Sequence, residues 1–209
     1  MFLRGEIRMT QTIEEIAQKE NLTVELLSIF PCQGEWTEED YFRLPETNKI
    51  VELSDGMVIV KPSPTTQHQG ILGRLLLLFG NHVLVKKLGE IVTAPMDTRL
   101  WEGKVRQPDI EFMSNDHLDR ITEKMWGVPD LAVEILSEGT AKTDKGKKFR
   151  EYQKAGVLEY WIVDPFKQAI EVYTLEDGIY KKLGEWGPDE IAKSKLLDGL
   201  EVSVDEVMV

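Results

Sequence analysis

A chain of 209 residues with 42% hydrophobic and 30% charged residues has the apolar mass for one sizeable core, and two full domains would be cramped. Its 37 acidic and 25 basic residues leave a net charge of −12, which excludes a polycation that coats nucleic acid by charge alone. The single cysteine, Cys32, excludes an internal disulfide framework and a multi-cysteine zinc site and points to the reducing cytoplasm.

No apolar run approaches the ~20 residues of a membrane span, so no membrane association is expected. Arg4, Glu6 and Arg8 break up any apolar signal core at the amino terminus. Ile13, Ile16, Ala17, Leu22, Leu26 and Leu27 then carry helical spacing up to Pro31, which predicts a helical extension over 1–34 ahead of a main domain over 35–209. Thr37 before Glu38, Glu39 and Asp40 reads as an N-cap with acids at the positive end of a short helix. Two apolar runs, 50–53 and 57–60, flank Ser54-Asp55-Gly56 and predict a hairpin. Residues 65–88 are apolar around most of a helical circumference, which predicts a helix sandwiched in the core, with His82 a satisfied core histidine. Strand-like segments follow at 91–93, 98–100, 109–113 and 131–136. A helix over about 144–155 ends at Gly156, a natural C-cap, and strands at 160–163 and 169–174 pair across Asp164-Pro165. This is a mixed α/β pattern with consecutive central strands rather than a regular βαβ alternation.

Three carboxylates lie inside apolar strands: Glu52 in Ile50-Val51-Glu52-Leu53, Asp109 at the head of Asp109-Ile110, and Glu134 in Ala132-Val133-Glu134-Ile135. A carboxylate there must be paired, hydrogen-bonded, protonated or bound to a cation. Adjacent strands about 4.8 Å apart can converge such side chains, and clustered carboxylates suit a hard divalent cation. Asp144, Lys148 and Tyr152, spaced by four, share one helix face. Spacing alone reads Asp144 and Lys148 as an ion pair. The bases Lys142, Lys145, Lys147, Lys148, Arg150 and Lys154 against Asp144 and Glu151 form either a solvated face or a small positive surface beside an anion site.

Together, Glu52-Leu53-Ser54-Asp55-Gly56, Pro62-Ser63-Pro64 with His68, Gln107-Pro108-Asp109-Ile110, Pro129-Asp130 running into 131–137, Asp144 with Lys148 and Tyr152, and Ala155-Gly156-Val157 running into 159–165 resemble a large bacterial family known as putative restriction endonucleases. That family falls within the PD-(D/E)XK nuclease superfamily, and the likeness covers residues 35–207. It implies a restriction-endonuclease-like core, a central mixed β-sheet flanked by helices. It further implies an Mg²⁺-dependent endodeoxyribonuclease, with Mn²⁺ a possible substitute, that hydrolyses phosphodiester bonds of nucleic acid, in first place DNA.

Position by position, Asp109 matches the aspartate of the Pro-Asp element, Glu134 the acid of the (D/E)-x-K element, and Glu52 the early acid. Leu136 stands where the lysine of that element belongs, and Lys148 on the following helix is the replacement the resemblance implies. The implied catalytic set is Glu52, Asp109, Glu134 and Lys148; the implied metal ligands are Asp109, Glu134 and the main-chain carbonyl of Ile135. His68, Asp144 and Tyr152 are secondary candidates. The rival reading is an inactive nuclease-fold module that binds nucleic acid or a protein. The negative net charge argues for assistance in holding DNA, from a homodimer joining two basic patches across one groove or from a partner that delivers substrate.

Overall fold

The computed structural model describes residues 30–45 and 49–208; the helical spacing over 13–27 lies outside the described residues. Thr37 does cap a helix, α1 (Glu38–Phe42): its side chain accepts from the Asp40 amide while Asp40 Oδ2 accepts from the Thr37 amide, a closed capping box. Strands β1 (Val51–Ser54) and β2 (Met57–Val60) pair antiparallel across Asp55 and Gly56, both at positive φ as a tight two-residue turn requires. Glycine is doubly required at 56, because a Cβ there would sit 2.4 Å from the Gly34 carbonyl oxygen. Helix α2 (Thr66–Lys86), capped by Thr65, leads to β3 (Gly89–Thr93), β4 (Thr98–Trp101), β5 (Lys104–Arg106), β6 (Ile110–Ser114) and β7 (Leu131–Ile135). A one-turn helix α3 (Ala141–Thr143) then runs through a π-helical turn (Asp144–Lys148) into α4 (Phe149–Ala155), which Gly156 ends at φ 93°. Strands β8 (Glu159–Asp164), β9 (Ala169–Glu176), β10 (Ile179–Trp186), β11 (Ile191–Lys193) and β12 (Glu201–Ser203) and helix α5 (Val204–Met208) complete the fold.

The central sheet has six strands in the order β10-β9-β8-β7-β6-β3. It is antiparallel except for β7–β8, whose parallel pairing needs the crossover that the α3–α4 segment supplies. Period-two alternation divides its side chains. Leu131, Val133, Ile135, Trp161 and Val163 face Ile71, Leu75, Phe79 and Val83 of α2, and the β11–β12–α5 segment packs into the same core. Ala132, Leu136, Tyr160 and Ile162 face Tyr152 and Val157 on the α4 side. A second sheet, β2-β1-β5-β4, turns Val51, Leu53 and Val105 toward Tyr41 and turns Glu52, Ser54, Lys104 and Arg106 the other way. The molecule is thus a mixed α/β fold with a central mixed sheet between helices.

Two sequence expectations change. Helix α2 is not sandwiched: Leu77 is 74% exposed, and Leu84 and Val85 also face outward. One layer covers that side of the sheet, so the helix keeps an outer face that apolar composition cannot reveal. His82 is half-buried near that outer surface, and its Nε2 finds no hydrogen-bond partner among the described residues. Among the described residues, no helix is long and apolar enough to cross a membrane.

Candidate active site

Strand register sets two of the carboxylates side by side. Strands β6 and β7 pair Glu111 with Ala132 and Ile110 with Val133, so Asp109, just ahead of β6, and Glu134, next along β7, lie at the same end of the ladder. Both acids line the same cleft of about 440 Å³, together with Lys61, His68, Ile135 and Phe166. Asp109 Oδ2 accepts the Ile135 amide at 2.7 Å and lies 3.3 Å from His68 Nε2. His68 belongs to the first turn of α2, where Thr65 Oγ1 accepts its amide. Burial pushes the His68 imidazole down, but Asp109 and then Glu134 outweigh it and hold its pKa above the usual histidine value.

Behind Glu134 lies a sealed charged seam. Lys148 Nζ and Tyr152 Oη both donate to Glu134 Oε1, the latter at 2.6 Å. Lys148 is fully buried, 3.4 Å from Glu52 Oε1 and 3.4 Å from Asp144 Oδ1. Its ammonium therefore meets the carboxylates from beneath and does not form part of the cleft wall, as a lysine aimed at a substrate would. Asp144 is also buried, and its two oxygens take no hydrogen bond among the described residues, so the Lys148 charge is what holds it. Burial pushes the Glu134 carboxyl up, Asp144 and Asp109 add to that push, and Lys148 and Lys61 oppose it. Burial depresses the Lys148 ammonium, yet Glu134, Glu52 and Asp144 together hold its pKa well above normal.

Glu52 does not reach the cleft. It lies opposite Arg106 across the β1–β5 ladder; Oε2 accepts Arg106 Nη1 at 2.8 Å, and Oε1 meets Lys61 Nζ at 2.9 Å. With both oxygens engaged, burial is outweighed by Lys148, Lys61 and Arg106, and its carboxyl stays far below the ordinary range. Arg106 also grips Glu151 of α4, and Lys104 ties Ser54, Asp55 and Glu151 together. Lys61, Lys104 and Arg106 are not singled out by the sequence, and Glu151 enters there only as a counter-charge within the basic run. The alternation Lys104-Val105-Arg106 just ahead of Pro108-Asp109 was the available signal.

The basic run is largely spoken for. Lys145 binds Asp164 and Glu171, Lys147 binds Asp55 and Lys148 is buried, while Lys142, Arg150 and Lys154 are exposed, the last lying over the Trp101 ring.

A donor set for a divalent cation can be judged on this geometry. Among the described residues, no group of three or more His, Cys, Asp or Glu side chains is placed to hold a metal ion. Two carboxylates lining one cleft do fit Mg²⁺, which binds through one or two carboxylates and keeps several waters.

Residues 38–205 match the profile of the Uma2 family, described as putative restriction endonuclease. The chain belongs to this family. It is 27% identical over 175 residues to an uncharacterized protein of Synechocystis sp., covering 81% of this chain and 89% of that one. The fold is similar to the crystal structure of a putative nuclease belonging to DUF820 from Anabaena variabilis, with a TM-score of 0.69 and 21% identity. That likeness spans 83% of this chain and 97% of the other. The sheet order and the seam described above are therefore those of a member of a nuclease family.

Proposed function

We propose that the protein is a divalent-metal-dependent endonuclease hydrolysing phosphodiester bonds of DNA, with Asp109 and Glu134 at the chemical centre. The observation that carries this reading is the placement of these two acids at the same end of two adjacent strands, lining one cleft, in a chain of a nuclease family. Asp109, Glu134 and the Ile135 carbonyl would hold Mg²⁺, or Mn²⁺ in its place, because all three offer hard oxygen. A bound cation supplies Lewis-acid charge beside the phosphodiester and a water of lowered pKa.

The remaining residues hold this pair in shape. The Ile135 amide fixes the Asp109 carboxylate, while Lys148 and Tyr152 fix Oε1 of Glu134 from beneath. Lys148 keeps positive charge behind the pair as negative charge builds on the phosphoryl oxygens. Glu52, locked by Arg106, anchors Lys148 and Lys61. The test compares wild type, Asp109→Asn and Lys148→Met on plasmid DNA at low salt with Mg²⁺ or Mn²⁺. Wild type should cut, Asp109→Asn should not, and Lys148→Met should lose activity on the order of 100-fold, the scale of removing one preorganised charge. Equal residual cleavage in all three would reject the reading. Burial of Lys148 favours one alternative, a nuclease fold that binds nucleic acid or a protein without turnover. Binding without cleavage under every condition would select it.

A further inference from the structure

The cleft holds one feature that hydrolysis does not require. Phe166 lies on its wall in the β8–β9 turn with 57% of its surface exposed, and Pro62, Pro64 and Pro165 line the same cavity. A lone exposed phenylalanine needs no explanation. This one is held: Asp164 Oδ1 accepts the amides of Phe166 and Lys167 at 3.2 Å each, and the buried Asp164 is tied to Lys145 at 3.0 Å. The backbone that carries this aromatic side chain is thus fixed at a cleft that also carries Asp109 and Glu134.

We propose that Phe166 is a base-stacking platform and that the cleft takes single-stranded or locally unpaired nucleic acid in preference to intact duplex. The inference rests on the nuclease reading in taking nucleic acid as the cleft's ligand. Two independent observations carry it. Duplex binding draws its strength from phosphates neutralised by Lys and Arg, yet three of the six bases in the 142–154 run, Lys145, Lys147 and Lys148, are already paired with acids of this chain. Lys61, on the cleft wall, is paired with Glu52. Stacking needs no such cations, works with every base, and is open only to bases freed from a duplex.

The test measures binding of a short single-stranded DNA and its blunt duplex, both with phosphorothioate backbones that resist hydrolysis. Full-length wild type, Phe166→Ala and Phe166→Trp are compared, with cleavage of the unmodified strands followed in parallel. The single strand should bind more tightly than the duplex. Phe166→Ala should weaken single-strand binding about 5- to 100-fold, the factor one stacked base supplies, and leave the melting temperature unchanged. Phe166→Trp should retain the binding. Tighter binding of duplex, or single-strand affinity unaltered in Phe166→Ala, would overturn the proposal. Loss of binding in Phe166→Ala with no cleavage by wild type would uphold the stacking site and sink the nuclease reading. Equal cleavage of single-stranded DNA by wild type and Phe166→Ala, with equal binding, would do the reverse.

Discussion

Arg106 grips Glu52, Glu151 and Ser54 at once from a position with no solvent exposure. Its removal leaves two buried carboxylates short of their partner, a defect that typically costs about 3–5 kcal/mol. We expect Arg106→Met to lower the urea midpoint accordingly, and Arg106→Met with Glu52→Gln to cost less than the sum of the two single changes, because they share one interaction. Asp109→Asn is the contrasting case. An amide oxygen can still accept the Ile135 amide, so stability should stay within about 1 kcal/mol of wild type while metal binding is lost. Tyr152→Phe removes the hydroxyl that meets Glu134 at 2.6 Å, and its cost should fall near 1–3 kcal/mol by the same denaturation assay. The roles of Asp109 and Glu134 as neighbours were legible in the residues, since each acid interrupts an apolar strand and matches a motif. The burial of Lys148 was not, because helical spacing fixes which face a side chain shares and not what covers it.

The π-helical turn that carries Lys148 is pinned to the central sheet by another of its three lysines. Lys145 reaches Asp164 at the end of β8 and Glu171 on β9, at 3.0 and 2.8 Å. Burial pushes the Glu171 carboxyl up, but hydrogen bonds from Lys145, Lys182 and Tyr173 outweigh it and hold its pKa down to about 2. A folded-state pKa below the unfolded one gives stability that is complete above the unfolded value of 4.5 and is lost as pH falls toward 2. We expect acid denaturation to show this limb between those values, and Lys145→Met to flatten it; an identical acid limb in the variant would assign the transition to other carboxylates. The same scale shows where sequence patterns run out. The hairpin turn, the Thr37 cap and the Gly156 stop follow from local chemistry and lie where they were expected. Strand β5 escaped notice because Lys104 and Arg106 read as solvent-facing, and only the acids Glu52 and Glu151 on other elements make their burial tolerable. Strands β10, β11 and β12 escaped because their exposed and buried positions alternate among charged residues that read equally well as loop.

Across the whole molecule, one chain with a net charge of −12 carries a cleft with two acids on its wall and few uncommitted bases beside it. Its long-range field repels a polyanion, and screening by salt relieves that repulsion while weakening any phosphate contact. Sedimentation of the full chain tests the expected homodimer: a monomer at every concentration would leave one copy to hold its substrate alone. The fold class was readable because strand and helix periods alternate clearly along the chain, and the meeting of β1, β6, β7 and α4 was readable only through the family motifs, since no local pattern encodes sheet order. The central claim is that Asp109 and Glu134 act jointly on one divalent cation. Titration calorimetry of Mn²⁺ into wild type, Asp109→Asn and Glu134→Gln tests it directly. One saturable heat is expected in wild type and none in either variant, with all three folded. The same heat in both variants would place the cation elsewhere and contradict the account.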